Sequence, residues 1–158
     1  MATLRLVTAM LGLPHITGTN FNEPTATNIV LNSERVIAIH GCKGKDLFLE
    51  VGGLDHDLKK LIIDKLSKHF AIRKPKDSRP GESKANICNL GKNHGVQIEI
   101  SKGLRDSMFK ANTTKGRLMP PKRNFERFIS VVREAIEELL TTQNNRNQSR
   151  LSNLTQIY

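Results

Sequence analysis

Short apolar segments alternate with amphipathic helices along most of this chain, and this alternation constrains the fold more than any other feature. Residues 36–39 and 47–51 are brief apolar runs followed by glycines, a pattern typical of buried strands. Between residues 122 and 140 an apolar stripe recurs at helical spacing opposite a charged face. Strands and helices in alternation favour an α/β layer with a mostly parallel sheet.

Local signals predict further elements between these segments. Pro24 after Asn22 and Glu23 predicts the start of a helix, and Asp55 is a capping residue for the helix that follows it. Residues 95–101 alternate between apolar and polar side chains, as expected for a strand with two different faces. Its apolar residues are Val96, Ile98 and Ile100, and its polar residues are Gln97, Glu99 and Ser101.

The length of the chain favours one domain. A chain of 158 residues, 37% of them hydrophobic, can bury a single core. We expect a single α/β domain over residues 1–141. Residues 142–158 are rich in Asn, Gln and Ser and predict a polar flexible tail. Residues 74–84 are charged and rich in turn formers, which predicts an exposed loop.

The positive charge of the chain points to an anionic partner. Its 25 Lys and Arg residues outnumber its 15 Asp and Glu residues, so the net charge is +10 at pH 7. Aromatic residues, on which unpaired bases stack, make up only 4% of the chain. We therefore do not expect a nucleic-acid partner, although a basic nucleic-acid-binding protein stays open as an alternative. No apolar run approaches the ~18 residues of a membrane span, so we expect no membrane partner.

The two cysteines and the common enzyme signatures say little about activity. Cys42 and Cys88 are isolated, without the spacing of a zinc finger or a redox pair, and we expect buried thiols. No HExxH, GxSxG, Walker or GxGxxG motif occurs.

Three residues are candidates for chemistry. His40 follows an apolar strand and precedes a glycine, so it is a metal ligand, an acid–base group or simply a hydrogen-bonded histidine. Glu99 is a carboxylate within an apolar strand, where it faces a cleft or a cation, or else the solvated side of an edge strand. Arg105 carries a forked guanidinium that suits a substrate carboxylate, unless it is a surface arginine. The role of His15 stays open.

Five segments, in their order and spacing, resemble the poly-γ-glutamate hydrolase family, small zinc hydrolases of phages and prophages also labelled phage-related replication proteins. The resemblance extends from about residue 15 to 140, and its most specific part is GVQIEISKGLR with NICN before it. The five segments are HITGTNFNEP at 15–24, AIHG at 38–41, GGLD at 52–55, NICN at 86–89 and GVQIEISKGLR at 95–105.

The resemblance implies a fold, a cofactor and a set of roles. Family members look like compact relatives of zinc carboxypeptidases, with a mixed, mostly parallel sheet flanked by helices, and cleave the γ-amide bonds of poly-γ-glutamate. The resemblance therefore implies that the single α/β domain over residues 1–141 is hydrolase-like. His40 then matches a zinc ligand, and Glu99 matches the glutamate that takes a proton from water and passes it to the leaving amine. Arg105 would bind a substrate carboxylate or stabilise the oxyanion. The anionic polymer also suits a basic protein.

The chain departs from the family pattern at its beginning. Family members carry a His-Gly-Gly stretch followed by Glu upstream of the segment that matches 15–24, whereas residues 1–14 contain neither His nor Glu. Catalytic zinc usually has three protein ligands, and His40 supplies one. We therefore expect an N-terminally truncated member whose own activity is doubtful because two metal ligands are missing, with an inactive prophage remnant as the alternative.

The resemblance also bears on assembly and location. We expect a monomer, unless a sheet edge left exposed by the truncation drives self-association. Arg5 precedes a short apolar stretch, but no small-residue cleavage site follows, so we do not expect secretion. A cytoplasmic protein, or one released on phage lysis, is the expectation.

Overall fold

The computed structural model of the chain describes residues 4–8, 18–76 and 80–155. The strands of this part are β1 (Leu4–Thr8), β2 (Arg35–Cys42), β3 (Phe48–Gly52), β4 (Ala71–Arg73) and β5 (Gly95–Ser101). The α-helices are α1 (Pro24–Leu31), α2 (His56–Leu66), α3 (Lys102–Met108) and α4 (Arg123–Thr155). Short 3-10 turns cover Gly18–Asn20, Ile87–Asn89 and Gly116–Leu118.

The strands form one mixed sheet in the order β1-β2-β5-β3-β4. Three neighbouring pairs, β1 with β2, β2 with β5 and β3 with β4, run parallel. The pair of β3 and β5 is antiparallel. The prediction of a mixed, mostly parallel sheet flanked by helices is confirmed, and β5 lies at the centre of the sheet.

The helix start predicted at Pro24 and the cap predicted at Asp55 are both confirmed, and Glu23 is the cap of α1. The Glu23 carboxylate accepts hydrogen bonds from the backbone N–H groups of Thr25, at 3.1 Å, and Ala26, at 2.6 Å. These two donors, that of Ala26 foremost, lower the pKa of Glu23. Asp55 accepts a hydrogen bond from the backbone N–H of Leu58 at 3.0 Å and also pairs with Arg35.

Apolar side chains cover the two faces of the sheet unequally. The larger core cluster joins one face of the sheet to α2 and α4, through strand residues such as Ile98 and Ile100 and helix residues such as Ile62 and Val132. A smaller cluster covers the start of β2 and β5 on the opposite face. Its buried members are Val30, Val36, Ala38, Ile87 and Cys88. Beyond this smaller cluster, the same face carries polar residues.

The last helix is longer than its apolar stripe predicts. The stripe predicts a helix over 122–140, whereas α4 continues to Thr155, so residues 142–155 are helical and not irregular. Thr142, Gln143 and Arg146 line a cleft of about 250 Å³ together with residues of α2, which gives the first turns of the extension a neighbour. The flexibility of residues 142–158 and the single-domain boundary at 141 stay predictions. No helix in the described part of the chain is long and apolar enough to cross a bilayer.

Candidate active site

A row of polar residues crosses the middle of the sheet. His40 on β2 lies opposite Glu99 on β5, and Glu99 lies opposite Glu50 on β3. Residues opposite one another on neighbouring strands place their side chains on the same face of a sheet. Ile98 and Ile100, on either side of Glu99, face the core under α2 and α4, so the polar row faces the other way.

Both carboxylates of this row are buried. Glu99 is 6% exposed and Glu50 is 3% exposed, whereas His40 is half-buried. The interpretation of Glu99 as a solvated residue on an edge strand is wrong, because β5 lies between β2 and β3 and the residue is almost completely covered. A carboxylate in such a place needs hydrogen bonds or a nearby cation to offset the loss of water.

Side-chain amides supply part of that compensation. Gln97 donates from Nε2 to Oε1 of Glu99 at 3.2 Å, and Asn86 donates from Nδ2 to Oε1 of Gln97 at 2.9 Å. Asn86 in turn accepts a hydrogen bond from the backbone N–H of Cys88 at 3.1 Å. A continuous chain of hydrogen bonds therefore connects the turn at 87–89 to the Glu99 carboxylate.

Arg105 lies at the carboxyl ends of the two strands that carry His40 and Glu99. It donates from Nε to the carbonyl of Ile100 and from Nη2 to the carbonyl of Cys42, each at 3.2 Å. The guanidinium packs against Gly41, where an added Cβ would lie 2.7 Å from Cζ of Arg105 and displace the side chain from this position. A guanidinium has five N–H donors, so these two contacts leave donors for a ligand carboxylate.

A second basic side chain of α3 is neutralised locally. Lys102 donates to Asp106 at 2.6 Å, and this ammonium group lowers the pKa of Asp106, with the Asn112 amide as a further cause. Arg105, which faces the strand ends, is therefore the better placed cation of α3 for binding an anion near the row.

The described residues do not complete the zinc site that the resemblance implies. Across residues 18–76 and 80–155 no group of three His, Cys, Asp or Glu side chains is arranged to hold a metal ion. Catalytic zinc generally takes three protein ligands, and His40 is the described residue that the resemblance assigns to it. His15 lies outside the described residues. The described residues therefore support no catalytic step through a metal.

Both cysteines of the chain are buried. Cys42 and Cys88 are buried thiols, as expected, and burial raises the pKa of Cys88 to about 12.

The sequence patterns assign no role in the site to Glu50, Gln97 or Asn86. The signal that marks Glu99, a carboxylate within an apolar strand, also marks Glu50, and Gln97 lies two residues before Glu99 on the same strand face.

Comparisons with known proteins identify relatives of this chain. The sequence model of the family described as poly-gamma-glutamate hydrolase matches residues 12–131. In Bacillus subtilis strain 168, the UPF0714 protein YndL is 34% identical over 122 residues, which cover 75% of this chain and 48% of YndL. The UPF0714 protein YmaC of the same organism is 30% identical over 128 residues, covering 78% of this chain and 54% of YmaC.

Two solved structures share the fold. A structure of a bacteriophage poly-gamma-glutamate hydrolase superposes with a TM-score of 0.74 at 30% identity, covering 81% of this chain and 64% of that one. A structure of YndL described as apo and zinc-free gives a TM-score of 0.72 at 33% identity, covering 78% of this chain and 63% of that one. The chain spans about half the length of the curated relatives it matches.

Proposed function

This chain belongs to the poly-gamma-glutamate hydrolase family, and we propose that it acts as a hydrolase that cleaves the γ-glutamyl amide bonds of poly-γ-glutamate. One observation carries the proposal. His40 and Glu99 are direct neighbours across β2 and β5, and Arg105 is anchored at the carboxyl ends of the same two strands. A carboxylate and an imidazole thus lie side by side near the strand ends at which the guanidinium is held.

Glu99 is the proposed general base and acid. It accepts a proton from the attacking water as the water oxygen bonds to the amide carbonyl carbon. The carbon–nitrogen bond then breaks, and Glu99 returns the proton to the leaving nitrogen, so that the products are a carboxylate and an amine. Such proton transfers contribute about 10²–10⁴-fold to the rate.

Arg105 is the proposed contact for the polymer. Every residue of poly-γ-glutamate carries a free carboxylate, and a planar guanidinium can bind one through two parallel hydrogen bonds. The anchoring of Arg105 on the Ile100 and Cys42 carbonyls holds the side chain in place before substrate binds. The net charge of +10 attracts the polymer to the protein over a longer range.

We further propose that activity depends on zinc and that His40 is one of its ligands. The support comes from the relative YndL, whose solved structure is described as a zinc-free form. Because the described residues contribute no set of three ligands, a three-ligand site would need at least one ligand from outside them. A monomer that is cytoplasmic, or that is released on phage lysis, remains part of this proposal.

The test is a direct assay on the polymer. The chain is incubated with poly-γ-glutamate at neutral pH, with and without added Zn²⁺, and the new amino groups and the length of the polymer are measured. The proposal predicts new amines and shorter polymer in the presence of Zn²⁺. Full-length polymer without new amines in both samples would favour the inactive prophage remnant.

A further inference from the structure

We propose that Asn86 and Gln97 are positioning residues, which hold the carboxylate of Glu99 in the orientation needed for proton transfer. This inference rests on the proposed function, because it assigns both amides to the reaction of Glu99. The two residues form an amide relay, defined here as the hydrogen-bonded series Cys88 N–H, Asn86, Gln97 and Glu99.

The direction of every hydrogen bond in the amide relay follows from its first donor. The oxygen and nitrogen of a side-chain amide are hard to distinguish by shape alone. A backbone N–H can only donate, so the group of Asn86 that faces Cys88 has to be Oδ1. Asn86 therefore donates from Nδ2 to Oε1 of Gln97, and Gln97 donates from Nε2 to Oε1 of Glu99.

A fixed donor at Glu99 has a consequence for proton transfer. The last torsion of a glutamate side chain is broad, so an unrestrained carboxylate samples many orientations. The donor on Oε1 restricts that rotation. It is also compatible with a carboxylate that has not yet taken a proton, which is the form a general base needs. The amide relay thus holds the Glu99 carboxylate in one orientation before substrate binds.

The residues of the amide relay are shielded from solvent and are held by further contacts. Asn86 is 5% exposed and Gln97 and Glu99 are each 6% exposed, so bulk water cannot easily replace these hydrogen bonds. The backbone around Asn86 is also tied, through its N–H to the Ser83 carbonyl at 3.0 Å. Gly18 packs directly against the Asn86 side chain, because an added Cβ at Gly18 would lie 2.7 Å from Oδ1 of Asn86.

The first test removes the donor from Gln97. In Gln97→Met the side chain keeps its approximate size but cannot donate to Glu99. We expect kcat on poly-γ-glutamate to fall about 10–100-fold, by analogy with the loss found when the outer partners that orient metal ligands are removed. KM should change less than about threefold, because no substrate contact is removed. A rise in KM with unchanged kcat would overturn the assignment.

The matched control loses a buried hydrogen bond elsewhere. Ser33 is 1% exposed and donates to the Ile29 carbonyl at 2.7 Å, near the other end of β2. We expect Ser33→Ala to lower the melting temperature without lowering kcat. An equal fall of kcat in Ser33→Ala and Gln97→Met would reduce the role of Gln97 to general stability and overturn the proposal.

A second arm does not depend on turnover. In the folded chain, the side-chain NH₂ signals of Gln97 are recorded by NMR, with those of Asn89 as the reference amide. Glu99→Gln removes the charged acceptor, so the Gln97 signals should move while the Asn89 signals stay in place, because Asn89 donates to the Gly81 and Ser83 carbonyls instead. Unmoved Gln97 signals would overturn the amide relay.

The two arms separate failure of this inference from failure of the proposed function. If the wild-type chain does not cleave the polymer but the Gln97 signals respond to Glu99→Gln, the relay exists and the assigned hydrolysis is wrong. The exchanged variant Gln97→Glu with Glu99→Gln gives a further check, because it restores a donor–acceptor pair without the base at 99. We expect it to melt close to wild type and to show no turnover.

Discussion

The ion pair of Asp55 and Arg35 gives a sharp prediction about stability. The Asp55 carboxylate caps α2 through the backbone N–H of Leu58 and pairs with Arg35, and its side chain is only 4% exposed. Asp55→Ala removes the cap, which costs about 1 kcal/mol. It also leaves Arg35 without its partner, a change that costs about 3–5 kcal/mol at a fully buried site.

The side chain of Arg35 is 14% exposed, so we expect the loss of its partner to cost less than the range for a fully buried site. Cap and pair together give a loss of about 3–4 kcal/mol in the free energy of unfolding. For a chain of this length such a loss lowers the melting temperature by about 10 °C. Asp55→Asn keeps an oxygen for the Leu58 N–H and should lose about 2–3 kcal/mol, the part that belongs to the charge pair.

The assay is urea unfolding followed by circular dichroism, with an exposed ion pair as the control. Asp46 pairs with Arg73 at 2.8 Å, but these side chains are 72% and 50% exposed. Asp46→Ala should therefore change the free energy of unfolding by no more than about 0.5 kcal/mol. If Asp55→Ala costs less than about 1 kcal/mol, or no more than Asp46→Ala, the assumed burial penalty for Arg35 is wrong.

Three further predictions concern the site and its surroundings. Arg105→Ala should raise KM for poly-γ-glutamate about tenfold or more, because a charged hydrogen bond is lost, and Arg105→Lys should recover only part of that loss. Equal KM values in the wild type and in both variants would contradict the assignment. Cys88 should resist thiol reagents in the folded chain at pH 8, since its pKa is raised to about 12. The unfolded thiol loses its proton near pH 9, so the contribution of Cys88 to the free energy of unfolding should decline as pH rises from about 9 to 12. If the folded protein is labelled as fast as the urea-unfolded protein, the stated burial of Cys88 is refuted. Gly18→Ala should displace Asn86 and lower kcat with little change in KM, and a crystal structure of the variant with Asn86 in place would count against that.

Local patterns were sufficient to predict the elements that carry the site. Alternation along 95–101 places Glu99 on the polar face of its strand, and the glycine after His40 marks the end of an apolar run. Asp55 is recognisable as a cap because a short acidic side chain before a helix can accept from its first N–H groups. The structure confirms this cap, the helix start at Pro24 and both strands.

The neighbours of Glu99 depend on contacts between distant parts of the chain. Glu50 lies opposite Glu99 only because β3 inserts antiparallel beside β5, and no local pattern determines that pairing. Asn86 reaches Gln97 through the turn at 87–89, which packs against the sheet. The helical continuation of α4 past residue 141 was also not predictable, because its polar residues have no apolar stripe of their own.

The most direct test of the account compares two variants of the row on poly-γ-glutamate. Glu99→Gln keeps the shape of the side chain but cannot accept the proton, so kcat should fall about 10²–10⁴-fold while KM and the zinc content stay close to wild type. His40→Ala should lose bound zinc, measured by elemental analysis, together with the rate. If the wild-type chain cleaves the polymer and Glu99→Gln retains its rate within a few-fold, Glu99 is not the base and the account is contradicted.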